Sequence, residues 1–296
     1  MSGGQNRPVA GALWMLVTGL LFVAVTATVK HLGDRVPAPE AAFLRYLLGL
    51  VFLLPMLGGL RQARLGRRAL TLFSLRGLVH ALGVMLWFYA MTQIPIAEVT
   101  AMNYVSPVYV SLGAALFLGE RLRWPRLAAI VVALIGVLII LRPGFREVST
   151  GHLAMVGTAI FFAGSYLIAK IMSDEVAPSV VVAMLSIFVT IGLAPFAVAV
   201  WVWPTWSELG WLFLVATLAT TGHFTMTLAF RAAPITVTQP VTFLQLIWAT
   251  ALGYYAFGEG LDAFVVLGGV IVIAAVLVIT LREARMRAVQ EPAQTP

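Results

Sequence analysis

Ten apolar runs of about twenty residues each, set apart by short polar turns, decide what this chain can fold into. A run of that length crosses the roughly 30 Å hydrocarbon layer of a bilayer as an α-helix. Inside hydrocarbon the backbone must satisfy its own hydrogen bonds, and a helix does so within one segment. The runs lie near residues 10–32, 40–60, 69–93, 97–118, 125–141, 151–172, 178–201, 207–231, 235–257 and 261–281. Pro37, Pro39, Pro95, Pro125, Pro143, Pro178, Pro204 and Pro234 fall in or beside the connections, where helices must stop or start. At 61% hydrophobic and 10% charged residues the chain lies far from soluble domains, which carry about 25% charge. The predicted fold class is an all-α integral membrane protein of about ten transmembrane helices. No connection is long enough to hold a separate soluble domain.

The chain is also written twice. The stretch FYAMTQIPIAEVTAMNYVSPVYVSLGAALFLGE from Phe88 is answered by TLAFRAAPITVTQPVTFLQLIWATALGYYAFGE from Thr227. Pro95 matches Pro234 and Glu120 matches Glu259, both at an offset of 139 residues. Leu13, Met15, Thr18, Phe22, Lys30, Asp34 and Pro55 match Leu153, Met155, Thr158, Phe162, Lys170, Asp174 and Pro195 at an offset of 140. Two halves result, 1–145 and 146–285, followed by a tail over 286–296. Five spans per half is an odd number, so the second half must enter the membrane upside down, a construction known among secondary transporters. The halves are therefore two inverted five-helix repeats.

The positive charges bear on orientation independently. With the N-terminus inside, thirteen Lys and Arg fall in inner segments and four (Lys30, Arg35, Arg142 and Arg146) in outer ones. The positive-inside rule then places both termini in the cytoplasm. The connection RQARLGRR over 61–68 matches 201–208, which holds no Lys or Arg, as inversion requires. The start MSGGQNRPVA runs straight into a span with no small-residue cleavage site, so the first helix is read as retained. A net charge of +7 suggests nucleic acid in a soluble protein, but these arginines sit between apolar runs and report topology instead.

The chain has no cysteine, which excludes disulfides and thiolate chemistry. Its acids lie at helix ends or in loops, with Glu98 at the start of the fourth span, so a mid-membrane carboxylate exchanging protons with cationic drugs is not supported. No Ser-His-acid set, H-E-x-x-H or P-loop is present, and no enzyme, cofactor or metal site is expected.

Polar stripes recur in both halves. Thr100, Asn103, Tyr104, Pro107 and Ser111 follow one helical face of the fourth span and match Gln239, Thr242, Phe243, Leu246 and Thr250 in the ninth. Thr18, Phe22 and Thr26 in the first span match Thr158, Phe162 and Tyr166 in the sixth. A single such threonine reads as an interhelical hydrogen bond; four matched stripes read as the wall of a shared cavity. His80, with Trp87 two turns on, and His223 fall in the equivalent third and eighth spans. Each is either a buried imidazole satisfied by a hydroxyl or a group that orients a zwitterion or relays protons. The candidate substrate-binding set is Thr18, Phe22, His80, Trp87, Asn103, Tyr104, Phe162, Tyr166, His223, Gln239 and Thr242. Arg45, with Tyr46 beside it, is either structural or placed at the outer mouth; Arg76 and Arg231 read as interfacial anchors. Pro107 and Pro240, within helix at membrane depth, are candidate hinges. The fifth and tenth spans are aliphatic all round and suit a periphery facing lipid or a weak homodimer partner, with Gly136, Gly268 and Gly269 permitting close packing.

In these runs, and in FLRYLLG of the second span, the chain resembles the EamA family of the drug/metabolite transporter superfamily over roughly residues 10–281. Its overall texture is similar to an amino-acid exporter of that family. The resemblance implies a basket-like bundle whose central cavity is lined mainly by spans 1, 3, 4, 6, 8 and 9, with spans 5 and 10 outside. It further implies export of amino acids or related metabolites across a bacterial inner membrane. Drug and sugar-phosphate or nucleotide-sugar carriers of the superfamily are the alternative. Leu185 stands where a second-half partner of Arg45 would be.

Overall fold

The computed structural model describes residues 7–56, 63, 65–117, 124–145, 147–173, 176, 178–233, 238 and 241–290. The described chain is helical from end to end. In order it forms α1 (Pro8–Leu32), α2 (Ala38–Gly49, continued by a 3-10 segment Leu50–Met56), α3 (Arg67–Gln93), α4 (Ile96–Asn103) and α5 (Ser106–Phe117). Then follow α6 (Trp124–Leu141), α7 (Thr150–Ser173), α8 (Pro178–Ala199), α9 (Trp206–Ala232), α10 (Leu244–Phe257) and α11 (Ala263–Gln290). Helices α1, α3, α7, α8 and α9 contain stretches long and apolar enough to cross a bilayer alone. The polar punctuation acts as its chemistry dictates. Thr205 and Glu208 close a capping box at the start of α9. Gly258, at φ 64°, ends α10 in the left-handed region that a side chain disfavours.

Three boundaries differ from the sequence expectation. The fourth span is broken into α4 and α5 at Tyr104–Val105, because Pro107 lacks an N–H and its ring crowds the carbonyl of Asn103. The ninth is interrupted at Phe243, the residue that matches Tyr104, and Pro240 just before it lies outside the described residues. At the far end α11 runs on to Gln290, past the expected limit near 281. Glu283, Ala284, Arg285, Met286, Arg287 and Ala288 are good helix formers, so the charges there do not stop the helix.

The main packing partners cross from one half of the chain to the other. α1 lies on α9, α3 on α7 and α8, α2 on α8 and α9, α5 on α7, α4 on α10, and α6 on α11. Buried Val25, Val29, Val84, Phe88, Met91, Met155, Leu193, Leu212 and Val215 join these helices in one apolar core. Trp124, Trp203 and Trp206 stand exposed at helix ends, where an indole ring suits the bilayer interface.

α6 and α11 pair through glycine. A Cβ on Gly268 would lie 2.5 Å from the Gly136 carbonyl oxygen and 2.6 Å from the Ile140 side chain. Their outer faces show exposed Val131, Ile135, Leu138, Leu267 and Val270. Replacing Gly268 with leucine is expected to force the helices apart and to cost about 1–3 kcal/mol, read as a lower thermal midpoint in detergent. Val270→Leu, on the exposed face, should leave the midpoint unchanged.

Candidate functional site

Two phenylalanines that the repeat matches each meet a histidine from the opposite half. Phe162 on α7 stacks on His80 of α3, with centroids 4.8 Å apart and planes 25° apart. Phe22 on α1 meets His223 of α9 edge-on at 5.2 Å and 80°. Round the first pair, Trp87 and Tyr166 each lie 6.2 Å from the Phe162 ring, and Tyr46 of α2 stands edge-on to His80 at 6.4 Å. Ring pairs of this kind add about 0.5–1.5 kcal/mol each. That is enough to hold an imidazole in place, and small enough for an incoming apolar group to replace one contact with another.

The space that these rings leave uncovered is the candidate hollow. Tyr166 keeps 46% of its surface exposed although its ring packs inward on Phe162 and lies within electrostatic reach of Tyr46 and Arg76. His223 is likewise exposed, and Phe22 and Trp87 are half-buried. His80 lies within electrostatic reach of His223, Arg45 and Arg76, so three helices, α2, α3 and α9, present basic groups to one region. His80 itself is buried, with Nδ1 3.1 Å from the Ser165 hydroxyl of α7.

The remaining candidates divide. Thr18 is 1% exposed, and its hydroxyl bonds Thr225 at 2.8 Å and the Trp14 carbonyl at 2.9 Å, so it fastens α1 to α9 and does not line the hollow. Tyr104 donates to the Thr242 carbonyl at 3.0 Å, and its ring meets Phe243 edge-on at 5.3 Å, so the matched helix breaks touch each other. Asn103 lies at the α4 break with its Oδ1 buried and without a hydrogen-bond partner. Gln239 lies outside the described residues.

The arginines differ most from expectation. Arg45 is 7% exposed, seven residues into α2, about 10 Å along the helix axis, and stands behind His80 instead of at a mouth. Its guanidinium rests 4.0 Å from the centre of the Tyr46 ring. Arg76 is also 7% exposed, nine residues into α3, and donates to the Val181 carbonyl at 3.3 Å, so it is no interfacial anchor. Its depth in the third span was the signal that could have marked it.

A second group of polar residues closes the end of the bundle where α1 stops and α4 begins. Lys30 pairs with Glu259 at 2.5 Å and donates to the Ile94 carbonyl at 2.9 Å. The other Glu259 oxygen accepts the Ile96 N–H at 2.9 Å, satisfying a free donor at the start of α4. His152 Nδ1 accepts the Ser149 N–H at 3.1 Å, which leaves Nε2 to donate to Glu98 at 2.5 Å. Both Glu98 and His152 are buried. Arg35 pairs with Glu208, Arg142 with Asp262, and Glu40 accepts the Val202 N–H at 2.8 Å. At this same end a cavity of about 290 Å³ opens beside Val29, Leu32, Val36, Tyr89, Thr92 and Gln93, apart from every predicted site residue. Sequence reading saw these acids as helix-end residues and missed their partners.

A bundle of long apolar helices, with aromatic and basic groups gathered at one region, is the architecture of a multi-pass membrane protein. The sequence profile of the EamA-like transporter family matches residues 9–142 and again 149–281, and the chain belongs to that family. It is 31% identical over 288 residues to a riboflavin transporter of Rhizobium johnstonii, covering 95% of this chain and 94% of the relative. It is 28% identical to an S-adenosylmethionine uptake transporter of Rickettsia prowazekii over 282 residues, 93% of this chain and 94% of that one. It is also 28% identical to a pseudopaline exporter of Pseudomonas aeruginosa over 278 residues, 92% and 96% of the two chains. A solved crystal structure shares the fold at a TM-score of 0.60 with 20% identity, covering 94% of this chain and 99% of the other.

The clamp at Glu259 makes a separable prediction. Lys30→Met leaves a mostly buried carboxylate without its cation, a loss worth up to about 3–5 kcal/mol when burial is complete. The double variant Lys30→Met/Glu259→Gln leaves no unpaired charge and keeps an acceptor for the Ile96 N–H. Its thermal midpoint is expected above that of the single Lys30 variant, and a double-mutant cycle reads the coupling.

Proposed function

We propose that this transporter exports amino acids, aromatic and other apolar ones among them, and related small metabolites across a bacterial inner membrane by alternating access. The two Phe–His pairs facing one hollow carry this reading. They offer apolar rings to a side chain and imidazole nitrogens to polar groups, the mixture that orients a small ligand in a pocket. Relatives named for three different cargoes fit a scaffold whose hollow is adapted from one metabolite to another.

On this reading the halves 1–145 and 146–285 are inserted with opposite orientation and rock against each other, with both termini in the cytoplasm. The crosswise packing supports it: exchanging the halves turns α1–α9 into α7–α3, and α3–α8 into α9–α2. The meeting of the matched residues Tyr104 and Phe243 supports it too. The helix breaks beside Pro107 and Pro240 are the flexing points. The protein works as a monomer or a weak homodimer through α6 and α11.

Proteoliposomes loaded with a panel of labelled amino acids are expected to lose phenylalanine and leucine faster than empty-vector controls. Phe162→Ala and His80→Ala should each slow that loss several-fold. Release no faster than the controls across the whole panel would overturn the substrate assignment. Orientation has its own check, since the chain has no native cysteine. A single cysteine at Asp34 is expected to react with an impermeant maleimide in intact cells, and one at Arg68 only after the membrane is broken.

A further inference from the structure

Seventeen of the nineteen Lys and Arg sit at span ends or in connections; Arg45 and Arg76 are the two that do not. Both are 93% buried, one on α2 and the other on α3, and both flank His80. An uncompensated charge at membrane depth costs several kcal/mol, so such residues mark pathways or bind a counter-charge. Among the described residues no carboxylate pairs with Arg45 or Arg76, and none accepts a hydrogen bond from Arg45, whose guanidinium rests on the face of Tyr46. The Nε of each guanidinium is buried without a partner. The acids Glu40, Glu98, Glu208, Glu259 and Asp262 take other partners at the end of the bundle where α2 begins, as described above.

We propose that Arg45, backed by Arg76, is the seat for an anionic group of the cargo, a carboxylate or a phosphate, while the rings of Phe162, Trp87 and Tyr166 take its apolar part. A guanidinium presents a planar fork of donors that matches the two oxygens of either anion. The cation–π contact with Tyr46 holds that fork in place without using its N–H groups. The proposal rests on transport through the hollow and names the chemistry that the hollow selects: neutral and cationic analogues are discriminated against, even when their apolar part is the same.

The test is ligand-induced thermal stabilisation of the full chain in detergent, which reads binding whatever the direction or substrate of transport. The probes are L-phenylalanine against L-phenylalaninamide, and glucose 6-phosphate against glucose. A midpoint raised by an acid and not by its uncharged partner is expected, lost in Arg45→Gln and partly kept in Arg45→Lys. Stabilisation by L-phenylalanine identifies a carboxylate seat; stabilisation by glucose 6-phosphate alone identifies a phosphate seat and overturns the amino-acid reading while keeping this one. If neither acid exceeds its neutral partner, or if Arg45→Gln responds as the unaltered chain does, the anion seat is wrong. Amino-acid release from proteoliposomes can stand in that case. Should Arg45→Gln fail to fold, the wild-type comparison of each acid with its neutral partner still decides the matter, and Arg45→Lys then reports the guanidinium's share.

Discussion

Hydrocarbon supplies no partner for a polar group, and that constraint governs where this chain puts its charges. Five acids of the described residues settle at one end of the bundle, and each takes its partner from the other half of the sequence. Lys30 meets Glu259, Arg35 meets Glu208, Arg142 meets Asp262, Glu98 meets His152, and Glu40 meets the Val202 N–H. An intramembrane helix pair gains no hydrophobic driving force from association, since lipid tails are as apolar as leucine. Polar ties across the halves, together with close glycine contacts such as Gly136 with Gly268, therefore carry more of the assembly than they would in water.

The same constraint shapes the hollow. Between α1 and α9 the Thr18 and Thr225 hydroxyls bond each other, so each is satisfied inside the interface. His80 and Ser165 repeat the device between α3 and α7. Around them the polar surplus is basic and aromatic. On the proposed function, aromatic contacts of about 1 kcal/mol apiece would yield to a ligand where a tightly hydrogen-bonded network would resist one.

Much of this was legible in the sequence. Helix positions follow from run length, and the repeat marked Phe22 and Phe162 as equivalent without indicating that each meets a histidine. What periodicity could not tell was which face of a stripe meets a neighbouring helix and which meets open space. Thr18 and Phe22 are one turn apart, yet the threonine is sealed in an interface and the phenylalanine borders the hollow. Arg76 was misjudged because an arginine near a helix end ordinarily reaches the interface by extending its long side chain. Here α8 covers Arg76 and its guanidinium bonds the Val181 carbonyl. The acid partners were hidden for a simpler reason: pairs such as Glu98 and His152 are 54 residues apart, and no local spacing predicts them.

Under the alternating access proposed above, this end of the bundle would have to open, and ion pairs suit that task. A pair shielded from water is held firmly, because removing one member strands the other. Once water enters, each partner is hydrated and the pair is worth only about 0–1 kcal/mol. An ionic seal is thus strong while dry and weak when wet, which on that proposal makes its release cooperative across Lys30–Glu259 and Arg142–Asp262. The glycine contact of α6 with α11 lies along the side of the bundle, where separation would meet lipid and would forfeit close packing instead of gaining hydration. On that reading the reversible joint is at the end of the bundle and the lasting one on its side.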